Sequence, residues 1–140
     1  MEQLSSLPYL ITIQQKTRKK MKKILIVDDE PNIVMALEYT FKKNNFEVFI
    51  ARDGQEALDI LKNQLPDIII LDVMMPMVDG FATLEQIKKE ERLQNCKVIF
   101  LSAKNKEKDI EKGISLGADL YVVKPFSTKK LVEQVQELLQ

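Results

Sequence analysis

Five side chains able to do chemistry stand at the carboxyl ends of four separate apolar runs: Asp28 and Asp29 after KKILIV, Asp72 after DIIIL, Ser102 after KVIFL, and Lys124 after DLYVV. A parallel sheet flanked by helices opens its ligand crevice at the carboxyl ends of its strands, so residues at such ends converge although they are distant in sequence. Adjacent carboxylates repel, and burying several together is costly unless a cation neutralises them. A divalent metal is therefore implied. With oxygen ligands and no histidine in the chain, Mg²⁺ is favoured over zinc, because it takes one or two carboxylates together with waters and a phosphate. Asp72 is the best candidate nucleophile, since a carboxylate can accept a phosphoryl group to form an aspartyl phosphate. Lys124 would supply a compact positive charge and Ser102 a hydroxyl donor, the electrostatic stabilisation on which phosphoryl transfer mainly depends. A single acid at a strand end is often only a helix cap or a solvated turn residue. The coincidence of five such side chains at four strand ends is what carries the argument.

The elements that must position these residues follow from a period that switches repeatedly after Met21. Ile24 to Val27 is a short β-rich run that reads as a buried strand. Pro31 suits the first turn of a helix, and Ile33, Leu37 and Phe41 repeat on one face of it until Asn44 and Asn45. Val48 to Ala51 is a second, weaker strand. Asp53-Gly54 makes a turn, and Ala57, Leu58 and Leu61 mark a second helix that stops before Pro66. Asp67 to Leu71 is apolar without alternation after its first residue, as expected of a central strand covered on both faces. After a loop with Pro76 and Asp79-Gly80, Phe81, Leu84 and Ile87 form a third helical stripe. Val98 to Leu101 is a fourth strand, and Ile110, Ile114 and Leu116 mark a short helix ended by Gly117. Leu120 to Val123 is the fifth strand. Leu131, Val135 and Leu138 form the last helix, with Ser127 as its cap. Strands alternating with helices in this way predict an α/β fold: a five-stranded parallel sheet, doubly wound, with five helices on its two faces in three αβα layers.

Composition narrows the function. The 140 residues are 45% apolar, enough for one core. The 21 basic residues balance the 21 acidic ones, which argues against a nucleic-acid binder relying on bulk charge, and no direct nucleic-acid contact is expected. Setting aside residues 1 to 20 removes Lys16, Arg18, Lys19, Lys20 and Glu2, so that 17 basic residues face 20 acidic ones and the remainder carries −3. No apolar run approaches the roughly 20 residues a bilayer span needs. The lone Cys96 precedes KVIFL, reads as a buried inert thiol, and fits a reducing cytoplasm. The domain is placed at 21–140, and residues 1–20 are read as an N-terminal extension. They hold an apolar patch, YLITI, followed by six basic residues between Lys16 and Lys23, the reverse of a secretory signal. A translated leader upstream of a start at Met21, a disordered or loosely helical arm, and a lipid- or partner-binding peptide all fit that pattern.

The segments ILIVDDEP (24–31), DIIILDVMMPMVDG (67–80), LSA (101–103) and GADLYVVKPF (117–126) together resemble the receiver domain of bacterial two-component response regulators, the chemotaxis-regulator-like fold. The resemblance runs from about Lys22 to Leu139. It implies a flavodoxin-like strand order of 2-1-3-4-5, with Asp72 as phosphoacceptor. Asp28, Asp29, Asp72 and the backbone carbonyl of Met74 would hold Mg²⁺, Asp28 and Asp29 directly or through water. Ser102 and Lys124 would contact the phosphoryl group, Lys124-Pro125 would be a cis peptide, and Tyr121 would be a switch aromatic that turns inward as Ser102 moves. Taken by itself, Tyr121 also reads as an ordinary aromatic at the core edge. The implied partners are a histidine kinase or phosphotransfer protein, an unknown downstream protein and a second copy of the chain on phosphorylation, and the face that switches would be that of the fourth helix, fifth strand and fifth helix.

The output is not written in the chain: a stand-alone receiver, a receiver cut from a longer regulator and a phosphorelay intermediate all fit. GADLYVVKPFS partly resembles receivers of the winged-helix transcription-factor branch. Leu120 and Ser115 replace acids common there, and the last helix lacks the matching arginine. A rival of another class is a phosphohydrolase of the haloacid-dehalogenase type. That family resembles D-x-D, whereas position 74 is Met, leaving no general acid. A flavodoxin-like cofactor binder would need a phosphate-cradling loop after the first strand, where this chain has DDEPN.

Overall fold

The uninterrupted apolar runs form strands because each can bury both of its faces, and the amphipathic stretches between them form the helices that cover those faces. The computed structural model describes residues 21–140. In chain order the elements are β1 (Lys23–Val27), α1 (Pro31–Lys43), β2 (Glu47–Ala51), α2 (Gly54–Leu61), β3 (Ile68–Leu71), α3 (Gly80–Lys89), a 3-10 turn (Glu91–Leu93), β4 (Lys97–Ser102), α4 (Glu107–Ser115), β5 (Leu120–Val123) and α5 (Thr128–Leu138). The strands pair in the order β2-β1-β3-β4-β5, and all four pairings are parallel. The expected fold class and strand order are both present.

Side chains alternate across the sheet, so each strand feeds two cores. Ile24, Ile26, Ile68, Ile70, Ile99 and Leu101 pack with Leu37 and Phe41 of α1 and with Leu131 and Val135 of α5. On the opposite face, Leu25, Val27, Ile69, Leu71, Val98 and Phe100 meet Ala57 and Leu61 of α2 and Phe81, Leu84 and Ile87 of α3. The four residues of β3 are all buried, which is why IIIL shows no polar alternation.

Local chemistry sets the helix ends. Asp53, Asp79 and Ser127 each accept a backbone N–H from the first turn of the helix they precede, those of Glu56, Ala82 and Lys130. Pro31 occupies the start of α1, where its missing N–H costs nothing. Gly117, at φ +110, turns the chain from α4 toward β5.

Several boundaries differ by a residue or so from the sequence reading. Ser102 is the last residue of β4 rather than the first beyond it, and α4 stops at Ser115 with Leu116 as its cap residue. The second helix ends at Leu61, before Pro66 as expected. The 3-10 turn was not expected, since only Leu93 in it is buried and one anchor leaves no period to read. Cys96 is buried, with its Sγ donating to the Pro66 carbonyl at 2.9 Å. Burial pushes its thiol pKa up, as expected of an inert cysteine. Among the described residues no helix is long and apolar enough to cross a membrane. The readings of residues 1–20 lie outside the described residues.

Candidate functional site

Strand register builds the site. Val27 pairs with both Ala51 and Leu71, so the residues that follow it and Leu71, Asp28 and Asp72, leave the sheet side by side. The backbone ladder continues into them: the Asp28 N–H donates to the Ala51 carbonyl at 3.1 Å, and the Asp72 N–H to the Val27 carbonyl at 2.9 Å. Farther along the edge Ser102 pairs with Val123, and the Lys124 N–H donates back to the Ser102 carbonyl at 2.8 Å.

Three of these strand ends share one local turn, in which a side-chain oxygen accepts the N–H of the residue two positions on. Asp28 Oδ1 takes the N–H of Glu30 at 2.9 Å, Asp72 Oδ1 that of Met74 at 3.1 Å, and Ser102 Oγ that of Lys104 at 3.2 Å. The turns lift the chain off the sheet and leave the second carboxylate oxygen of Asp28 and of Asp72 facing Lys124. The Lys124 Nζ donates to Asp28 Oδ2 at 2.9 Å, Asp72 Oδ2 at 3.3 Å and Glu30 Oε1 at 2.7 Å. Lys124 is followed by a cis peptide bond to Pro125.

Asp28 and Asp72 are almost completely buried, while Asp29 and Glu30 reach solvent. Burial pushes the Asp28 carboxyl pKa up, against the lowering effect of the Glu30 N–H and the Lys124 ammonium, and the Asp72 charge adds to the rise. Burial alone would lower the Lys124 pKa. The ion pairs with Glu30 and Asp28 outweigh it, so the ammonium is held charged well above the usual lysine range.

Oxygens of Asp28, Asp29 and Asp72 lie within 4.8 Å of one another. That donor set is hard oxygen throughout, and one ammonium cannot balance three clustered carboxylates. It suits a small divalent cation of the Mg²⁺ type. A cavity of about 580 Å³ opens beside these groups, lined among others by Asp29, Met74, Phe81, Lys104 and Lys112.

The structure brings Asp28, Asp29, Asp72 and Lys124 together as the sequence reading expected. Ser102 lies at the same edge but is wholly buried, and none of the described hydrogen bonds joins it to a carboxylate. Tyr121, on β5, donates its hydroxyl to the Lys104 carbonyl at 2.7 Å, which ties it to the loop whose N–H engages Ser102. Burial raises its phenol pKa. Sequence reasoning missed Glu30. The signal available was its position, between an Asp-Asp pair at a strand end and a helix-starting proline.

A family model for the response regulator receiver domain matches residues 24–136. Among solved structures the chain is similar to the chemotaxis response regulator CheY4 of Vibrio cholerae, at 30% identity over 86% of this chain and 100% of that one, with a TM-score of 0.81. It is also similar to the receiver domain of the Francisella response regulator 1452, at 34% identity over 84% and 96% of the two chains, with a TM-score of 0.78. A third match is the signal receiver domain of a signal transduction histidine kinase from Syntrophus aciditrophicus, at 32% identity over 84% and 89%, with a TM-score of 0.78.

Proposed function

Because the chain belongs to the response regulator receiver family, a family of phosphorylation switches in two-component signalling, we propose that Asp72 is its phosphoacceptor. The observation that carries this is the Lys124 ammonium bridging the buried carboxylates of Asp28 and Asp72 at adjacent strand ends. A carboxylate oxygen of Asp72 attacks the phosphorus of a phosphohistidine on a histidine kinase or phosphotransfer protein. The P–N bond breaks, and the electron pair leaves with the imidazole. With acetyl phosphate as donor, the P–O bond breaks and acetate leaves.

Lys124, already charged and aimed at Asp72, follows the phosphoryl oxygens and offsets their charge. Ser102 turns its hydroxyl from the Lys104 N–H toward the phosphoryl group. Asp28, Asp29 and the Met74 carbonyl are the residues that would hold Mg²⁺ beside Asp72. When bound, the ion neutralises carboxylate and phosphoryl charge.

The Ser102 rotation leaves the Lys104 N–H without its acceptor, and the Tyr121 hydroxyl bonds the carbonyl of that same residue. A change at Asp72 thereby reaches the face of α4, β5 and α5, where a cleft of about 340 Å³ is lined among others by Tyr121, Val123, Phe126 and Lys130. That face is the proposed contact for a downstream protein or a second copy of the chain. The working unit is residues 21–140, acting in the cytoplasm, with no turnover of a small substrate beyond its own phosphorylation and dephosphorylation. Family membership sets aside the haloacid-dehalogenase reading.

The test is intact mass after incubation with acetyl phosphate, with and without Mg²⁺, for the wild type and Asp72→Asn. One added phosphoryl group that needs Mg²⁺ and is absent from the variant is expected. An adduct that persists in Asp72→Asn would overturn the assignment.

A further inference from the structure

Glu30 precedes α1 at the position where a side chain ordinarily caps a helix, yet its carboxylate does not cap. Asp53, Asp79 and Ser127 all do so at the corresponding positions of α2, α3 and α5. Its backbone N–H is taken by Asp28 Oδ1, which fixes the chain there, and its side chain swings to Lys124 instead. The resulting contact, 2.7 Å, is shorter than those Lys124 makes to Asp28 and Asp72, at 2.9 and 3.3 Å. Asp28 and Asp72 are enclosed. Glu30 is 58% exposed, so it is the one carboxylate of the three that can withdraw into water at little cost.

An ammonium has three protons to donate, and in this structure all three of its partners are carboxylates. A phosphoryl group on Asp72 adds further acceptor oxygens at that spot, and Lys124 cannot serve them without giving up a partner. Glu30 is the partner that can leave.

We propose that Glu30 is a positioning residue that holds Lys124 in the unloaded state and competes with the phosphoryl oxygens for it, so that it sets how readily the site loads. This rests on Asp72 being the phosphoacceptor. The carboxylate adds negative charge where further negative charge must arrive, which opposes loading. It also keeps the Lys124 side chain extended across the strand ends, ready for transfer by a short movement.

The test titrates beryllofluoride, a phosphoryl mimic, into wild type, Glu30→Gln and Glu30→Asp at saturating Mg²⁺, followed by backbone amide NMR shifts around Asp72 and Tyr121. Mg²⁺ affinity is measured first for each protein by the same shifts, because removing a carboxylate also weakens cation attraction. Glu30→Gln should bind the mimic about two- to fivefold more tightly, the range expected for removing one partly exposed charged contact. Glu30→Asp, one methylene too short for the 2.7 Å contact, should fall between the two.

Unchanged or weaker mimic binding by Glu30→Gln would overturn the proposal. So would a Glu30→Asp indistinguishable from wild type, since charge without contact would then be enough. If wild type shows no saturable change with beryllofluoride and Mg²⁺, the assignment of Asp72 falls, and the role of Glu30 falls with it.

Discussion

At Met74 the exposed thioether side chain borders the cavity beside Asp72. It offers no strong donor or acceptor to hold a water in line with a phosphoryl group. With Asp72 as phosphoacceptor, self-dephosphorylation should be slow. Met74→Asn, which supplies both a donor and an acceptor, should shorten the phosphoryl lifetime by about tenfold, equivalent to ~1.4 kcal/mol of barrier. Loss of the adduct by intact mass over time is the measurement, and an unchanged lifetime would sink the idea. Asp28 carries a different expectation. Its folded-state pKa is raised by burial above the ordinary aspartate value, so its contribution to stability is fully present below that ordinary value. The contribution is lost as pH rises through the folded one. At neutral pH, without a cation, Asp28 therefore costs stability. Asp28→Asn in EDTA should be more stable than wild type by about 1 kcal/mol, roughly 3–6 °C in Tm for a domain of this size. Added Mg²⁺ should narrow that gap, because only the wild type keeps the full carboxylate set. Thermal melts at pH 7 with and without Mg²⁺ decide it.

Among the elements, α3 meets the end of β3 closely at Gly80, where a Cβ would clash with the Asp72 carbonyl oxygen and stand 2.8 Å from the Val73 Cα. These are backbone atoms that cannot rotate aside. Gly80→Ala should therefore destabilise by about 2–4 kcal/mol in urea unfolding despite alanine's higher helix propensity, and should lower phosphoryl uptake by displacing Asp72. The strands and helices themselves were legible because their signals are local. IIIL can only be buried on both faces, and Leu131, Val135 and Leu138 can only line one side of a helix. The convergence of Asp28, Asp72 and Lys124 was legible too, since strand ends in a parallel sheet must meet. What escaped the sequence depended on tertiary context. Glu30 could have capped α1, and only the arrival of Lys124 from β5 turns it away. Met77 adopts φ 67, a backbone conformation that no feature of its side chain announces. The 3-10 turn rests on the single anchor Leu93.

Among the described residues, the sheet begins at Lys23 and both cores are built from residues after that point. A chain beginning at Met21 should therefore unfold at the same urea midpoint as the full chain and take up phosphoryl from acetyl phosphate at the same rate. A slower rate or a lower midpoint would give residues 1–20 a part in the domain. The ladder that runs past the strands into Asp28 and Asp72 has a further consequence for motion. Their amide hydrogens are bonded to carbonyls of the neighbouring strands, so they can exchange with solvent deuterium only when the sheet itself opens. Met74 and Lys104 are themselves exposed, their amides are each held by one side-chain oxygen outside the ladder, and they should exchange through small local fluctuations. The site is thus a slow floor beneath a fast rim. Chemistry at the floor is read out by the rim, so a signal can pass without any part of the sheet unzipping.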